Sequence, residues 1–325
     1  MTGCIHFAHA LDGAEPGAAL AGDAIARALA ADTLAWVHLS ATDPDSPGWI
    51  RANLDYLPAP VRAALIAEAT RPRVSFFDDG ALVILRGVNT NPGADPDDMV
   101  SIRLWVDPAR IVSLSRRRLA AVAELRAAIA AGAGPGDAGA FLAELVERLN
   151  ARITARAEAL EAAGERIEDQ ALTAAAQGAA LRADLTELRR ELAVLRRFLR
   201  PQRDAVASLA GGRLGWTAGL ADLRLAEAAD VLTRMIEDLD GLAERMTVAR
   251  DEIASAHSDR MNRNLYRLSV ISAVFLPLGF LTGLMGVNLG GMPGAADPRG
   301  FWLFSAALAA LVVALLGLIW RARRR

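Results

Sequence analysis

Two apolar stretches near the end of the chain constrain its fold more than any other feature. Leu268–Leu284 and Phe301–Trp320 are joined by a short loop that opens Gly286-Val287-Asn288. No charged residue falls between Leu268 and Ala296, or between Gly300 and Trp320. A hydrocarbon core of about 30 Å needs roughly 20 apolar residues in a helix, so each stretch is long enough to cross a bilayer. The spacing predicts a two-span hairpin attached to a large polar domain.

Arginine placement orients that hairpin. Arg260, Arg263 and Arg267 precede the first span, and Arg321, Arg323, Arg324 and Arg325 follow the second. The loop between them carries only Asp297 and Arg299. Positive charge marks the cytoplasmic side, which predicts both termini in the cytoplasm and the loop outside. Tyr266, Trp302 and Trp320 stand where interfacial anchors belong. A bacterial inner-membrane location follows as the expectation, with membrane lipid as a partner. The N-terminal region reads as lacking a signal peptide, because Asp12 and Glu15 interrupt it before a useful apolar run.

Composition adds exclusions. A net charge of −2 over 325 residues argues against a nucleic-acid surface. The single cysteine, Cys4, excludes an internal disulfide framework and fits a reducing compartment. No Walker loop, nucleophile elbow or HExxH helix is present, so the chain reads as no enzyme and calls for no cofactor.

Residues 1–140 read as an α/β subdomain. Strand candidates are Ile5–Leu11, Leu34–Leu39, Arg73–Phe77, Ala81–Val88, Ser101–Val106 and Ile111–Ser115. Asp78-Asp79-Gly80 is a hairpin signal between the third and fourth. Leu119–Ala131 has helical periodicity and runs into a glycine-rich break at Gly132–Gly139. Residues 141–220 read as a helical subdomain. Leu181, Leu185, Leu188, Leu192, Leu195 and Leu199 form a heptad seam that Pro201 is expected to end.

A stalk helix is expected over 221–267, feeding the first span at 268–286; then come an external loop at 287–300, the second span at 301–320 and a basic tail at 321–325. Leu232, Met235, Leu239, Leu242, Met246, Ala249 and Ile253 step by three and four with no breaker before the membrane. A helix continuous from Leu223 to Leu284 would be roughly 90 Å long. Its seam is expected to meet copies of itself, and an intramolecular antiparallel coiled coil against Leu181–Leu199 can hold at the same time. Farther along, Leu265, Leu268, Ser272, Leu276, Gly279, Gly283 and Gly286 share one helix face that narrows to glycine. Two readings stand for that stripe, close helix–helix contact and the wall of a pore.

Phe275–Asn288 reads FLPLGFLTGLMGVN, and Leu289–Gly294 reads LGGMPG. This resembles the signature of the CorA superfamily of divalent-cation transporters, whose first span ends in Gly-x-Asn. Gly-Val-Asn followed by Gly-Gly-x-Pro-Gly resembles its ZntB zinc-transport branch. Thr70-Arg71-Pro72-Arg73, Leu85-Arg86-Gly87-Val88-Asn89, Asn91–Arg103 and Ser113–Leu119 are similar to that branch as well.

The resemblance implies a homopentamer with a cytoplasmic α/β funnel, first spans lining the pore and second spans outside them. It implies transport of Zn2+, coupled to protons, and assigns Gly286, Val287 and Asn288 to the ion filter. Leu265, Leu268, Ser272, Leu276, Gly279 and Gly283 become pore-lining, and Gly290, Gly291, Pro293 and Asp297 shape the outer mouth. Five Asn288 amides would hold a hydrated dication by its water shell without trapping it. Gly279 stands where the family often has Thr, so that hydroxyl ring is missing or is supplied by a neighbour such as Thr282.

Metal ligands are sparse. His257, one turn beyond Ile253, is a candidate metal or proton site just inside the membrane. Cys4, His6 and His9 are close in sequence, but strand alternation sets His9 opposite the other two. Asp230, Glu237, Asp238, Asp240, Glu244, Asp251, Glu252 and Asp259 make the stalk acidic. Alternative functions are a magnesium, cobalt or nickel channel of the same build, and a membrane-tethered coiled-coil scaffold without flux.

Overall fold

The computed structural model describes residues 3–13, 15–31, 33–68, 70–94, 98–173, 178–287 and 297–323. They form two units, Met1–Arg250 and Asp251–Arg325. The first unit holds β1 (Ile5–Ala10), α1 (Asp23–Ala30), β2 (Ala35–Ser40), α2 (Ser46–Asn53), α3 (Ala59–Ile66), β3 (Arg73–Phe77), β4 (Gly80–Val88), β5 (Met99–Val106), β6 (Arg110–Ser115), α4 (Ala120–Ala130), α5 (Ala138–Thr173) and α6 (Gly178–Leu209). Helix α7 (Leu220–Met285) begins there and runs unbroken into the second unit, which also holds α8 (Gly300–Arg323).

The strands make one six-stranded sheet in the order β1-β2-β6-β5-β4-β3. Strands β2 and β6 run parallel, and every other pair is antiparallel. Strands β2 and β5 are buried along their whole length, including the polar His38, Ser40, Ser101 and Arg103. On one face Val37, Leu39, Leu82, Ile84, Trp105 and Leu114 join Leu29, Ile50, Val61 and Leu65 in a single core. On the other, the Trp36 ring meets Phe141 of α5 edge-on at 4.9 Å. The β3–β4 turn uses Asp78 at φ 45°, a conformation Asp tolerates better than most residues. Gly80 follows because a Cβ there would lie 2.3 Å from the Trp105 ring.

Strand β1 departs from simple alternation. Its register shifts between Ile5 and Phe7, a bulge that changes which residues face the core. Cys4 and Ala8 are therefore buried, His6 is exposed, and buried His9 contacts the Gly17 carbonyl oxygen through Nδ1 at 3.0 Å. The expected pairing of Cys4 with His6 on one face is thus corrected.

Two expectations about the long helices also change. Helix α6 does not end at Pro201 but continues to Leu209. Ala205, Val206 and Leu209 are all buried, and Gln202 accepts the Arg86 backbone N–H through Oε1 at 2.7 Å. Packing and that bond carry the chain past the missing proline donor. The seam Leu232–Ile253 is also filled within its own chain rather than left for copies. A Cβ on Gly164 of α5 would meet Leu242 Cδ1 at 2.4 Å, so the two helices touch closely there. Arg224 donates to both Glu147 oxygens at 2.7 and 2.6 Å, and Arg245 pairs with Glu161 and Glu168. From α6, Arg196 and Arg200 both hold Asp240.

In the second unit the pattern reverses. No described residue from Ala254 to Val287 is buried, and none from Gly300 to Arg321. Both α7 and α8 contain a stretch long and apolar enough to cross a bilayer.

Candidate ion pathway

The candidate pathway lies on the far part of α7. At about 100° per residue, Leu265, Leu268, Ser272, Leu276, Gly279, Gly283 and Gly286 fall within a sector of about 80°. All seven are exposed in the single chain. Leucine gives way to glycine along the sector, and a Cβ at Gly279 or Gly283 would meet nothing within 4 Å. His257 is exposed on the same helix and lies about 20° outside the sector, so its ring shares nearly the same face.

The span ends in a defined way. The Gly286 N–H donates to the carbonyls of Thr282 and Gly283 at 2.9 and 3.2 Å, closing the last turn. Val287 is exposed beyond it. Asn288, Gly290, Gly291 and Pro293 lie outside the described residues. Asp297 lies within them, and its Oδ1 accepts the Arg299 backbone N–H at 2.8 Å while its carbonyl accepts Gly300 N–H at 3.0 Å. This carboxylate therefore organises the entry to α8 and meets Arg299, its neighbour in the loop, through the backbone.

Thr282, the neighbour of Gly279 that carries a hydroxyl, bonds back to its own helix. Its Oγ1 donates to the Leu278 carbonyl at 2.8 Å, with Gly279 O at 3.2 Å. Back-bonding of this kind is a standing option for any helical threonine, so the sequence already held that signal. Ser272 is left as the stripe's one hydroxyl.

Outside the spans, no three His, Cys, Asp or Glu side chains among the described residues gather into a metal site. His38 is the most altered titratable group. Burial, helped by His6 and Arg126, pushes its pKa down to about 3. Its Nδ1 and Nε2 meet the hydroxyls of Ser113 and Ser115 at 2.8 and 3.3 Å. It is a neutral core imidazole. The acidic stalk is partly neutralised: Asp240 is held by two arginines, and the groove of about 600 Å³ beside Glu237 and Asp238 also contains Arg234 and Arg245.

Comparison with known proteins adds a family, two relatives and two solved structures. The family described as "CorA-like Mg2+ transporter protein" matches residues 31–324. The zinc transport protein ZntB of Yersinia enterocolitica is 38% identical over 314 residues, covering 97% of this chain and 93% of that protein. Its counterpart in Pectobacterium atrosepticum is 38% identical over 289 residues, covering 89% and 86%. The full-length CmaX structure matches with TM-score 0.83 at 33% identity, over 99% of this chain and 98% of the other. The CorA magnesium transporter of Methanocaldococcus jannaschii shares the fold, with TM-score 0.78 at 18% identity over 99% and 98%.

Proposed function

The chain belongs to the CorA-like family of transporter proteins, and from that premise we propose that it carries a divalent cation across a bacterial inner membrane, zinc before others. Zinc leads because relatives spanning most of the chain are zinc transport proteins. The observation that carries the reading is the exposed leucine-to-glycine face of α7, which leads to Val287 and Asn288. Five copies of that face, in a homopentamer, enclose a pore that one copy cannot. Gly286 lets the backbone bend, and five Asn288 amides hold the incoming ion by its hydration shell. Gly290, Gly291, Pro293 and Asp297 shape the outer mouth, and both termini sit in the cytoplasm beside the arginine clusters.

Transport is coupled to protons in this reading. Neither span contains Asp, Glu or His, so the coupling group lies outside them. His257 is the nearest titrating side chain on the pathway face and the one candidate for a transient metal contact. The protein performs no covalent chemistry; its substrate is the ion.

Zinc flux into proteoliposomes, with and without a pH gradient, tests the proposal. Zinc entry that rises with the proton gradient and is lost in Asn288→Ala is the expected result. Flux unaffected by Asn288→Ala would remove the filter assignment. A second reading rests on the family description, which names Mg2+: a magnesium, cobalt or nickel channel. Competition by those ions, with no dependence on the gradient, would favour it.

A further inference from the structure

Three neighbouring strands each send an arginine to the segment that follows α3. Arg103 of β5 donates from Nη2 to the Ala67 carbonyl at 2.7 Å. Arg86 of β4 donates from Nη2 to the Thr70 carbonyl at 2.8 Å. Arg116, just past β6, pairs with Glu68 at 3.9 Å. Register explains the convergence. Arg103 stands opposite Ile84 on one side and Leu114 on the other. Arg86 and Arg116 lie two residues farther along those neighbours, toward the same end and on the same face.

Arg86 also donates from Nη1 to the Met99 carbonyl at 2.7 Å and lies 3.9 Å over the Phe198 ring, yet several donors of the group are left over. Arg103 is 0% exposed, yet its Nε and Nη1 have no hydrogen-bond partner. Arg86 Nε and the hydroxyl of Thr70, itself 7% exposed, are unpartnered too. Among the described residues Arg103 makes no ion pair with a carboxylate. Glu68, the acid on the segment, has its side chain 90% exposed, and Asp98 is engaged by Asn89 and Arg117. Burial, with Arg116 and Arg86 adding repulsion, lowers the Arg103 pKa only to about 10. It therefore stays charged at neutral pH, and a buried charge with no counter-charge among the described residues is costly.

Four of the stretches that resemble the zinc-transport branch meet here. One gives Thr70, one Arg86, one Arg103 and one Arg116. Nothing in the ion pathway uses them.

We propose that these side chains hold a small tetrahedral oxyanion, of phosphate or sulfate chemistry, beneath Ala67 and Thr70. Guanidinium and hydroxyl donors arriving from several strands match the many acceptors of an oxyanion. Its negative charge offsets Arg103 and locks the end of α3 to the sheet.

Isothermal titration of the full-length protein in detergent tests this, with inorganic phosphate, sulfate and chloride at equal ionic strength. Saturable binding of phosphate or sulfate is expected, at least about ten-fold weaker in Arg116→Gln, the loss of one charge-assisted contact. It should be absent in Arg103→Met, with circular dichroism reporting whether that variant folds. If Arg103→Met does not fold, the Arg116→Gln and Thr70→Val variants decide, each with weakened binding as the supporting result. No saturable binding, or undiminished binding in these variants, overturns the proposal. Chloride binding as tight as phosphate overturns the oxyanion assignment.

Discussion

The two halves of α7 carry the same three-and-four spacing and meet opposite fates. Leu232, Leu239, Leu242 and Met246 are each at most 2% exposed, closed over by α5 and α6 of their own chain. Leu265, Leu268 and Leu276, farther along the same helix, are 56%, 61% and 77% exposed. Neither composition nor period separates the two sets. The difference lies in what else the chain supplies: helices of 36 and 32 residues run alongside the first half, and no described residue beyond Ile253 on α7 is buried. An apolar stripe says that a face must be covered. It does not say by what.

Matched substitutions give the sharpest contrast. Leu242→Ala should destabilise the Met1–Arg250 unit by about 2–5 kcal/mol, the usual result of opening a core cavity. Leu276→Ala should shift that stability by less than about 0.5 kcal/mol while altering zinc flux. Denaturant titration followed by tryptophan fluorescence reads the first, and proteoliposome uptake the second. Equal stability losses would mean the two halves are not distinct.

Acid should change stability through groups outside the spans, because the spans carry no Asp, Glu or His. Native His38 stays neutral to about pH 3, whereas the unfolded chain takes up that proton below its ordinary 6.5. Its contribution is thus fully present above pH 6.5. It is lost at up to about 1.4 kcal/mol per pH unit as pH falls toward 3. His38→Asn should flatten the fall in urea midpoint by that amount, and an unchanged slope would assign the acid response elsewhere. A small effect belongs to the Asp240 ion pairs, whose side chains are 35–54% exposed. Asp240→Asn should change stability by under about 1 kcal/mol, measured by the same denaturant titration.

Legibility in the sequence followed the range of the forces involved. Strand β3 reads correctly at both ends because the Asp78-Asp79-Gly80 turn is local chemistry, and the spans read well because a bilayer demands length and apolarity alone. The bulge in β1 left no mark, since Ile5, His6 and Phe7 obey strand propensity either way. Pro201 misled because Gln202 and Val206 find their partners on distant segments. Of the candidate site, the stripe from Leu265 to Gly286 shares one exposed face as its spacing implied. The filter residue Asn288 lies outside the described residues. The oxyanion cluster was present as four separate motifs, and only strand register brings Arg86, Arg103 and Arg116 together.

The one parallel pairing in the sheet has a kinetic consequence. Strands β3 to β6 are joined in sequence order by short antiparallel connections, so each can zip onto the last. Strand β2 must wait for β6, because His38 and Ser113 are partners 75 residues apart. Closing so long a loop costs entropy that no local contact returns, and folding slows as such contacts come to dominate. The meander is therefore expected to form first and β2 to dock on β6 late, an order that φ-values near zero for Val37→Ala and higher ones for Leu82→Ala would bear out.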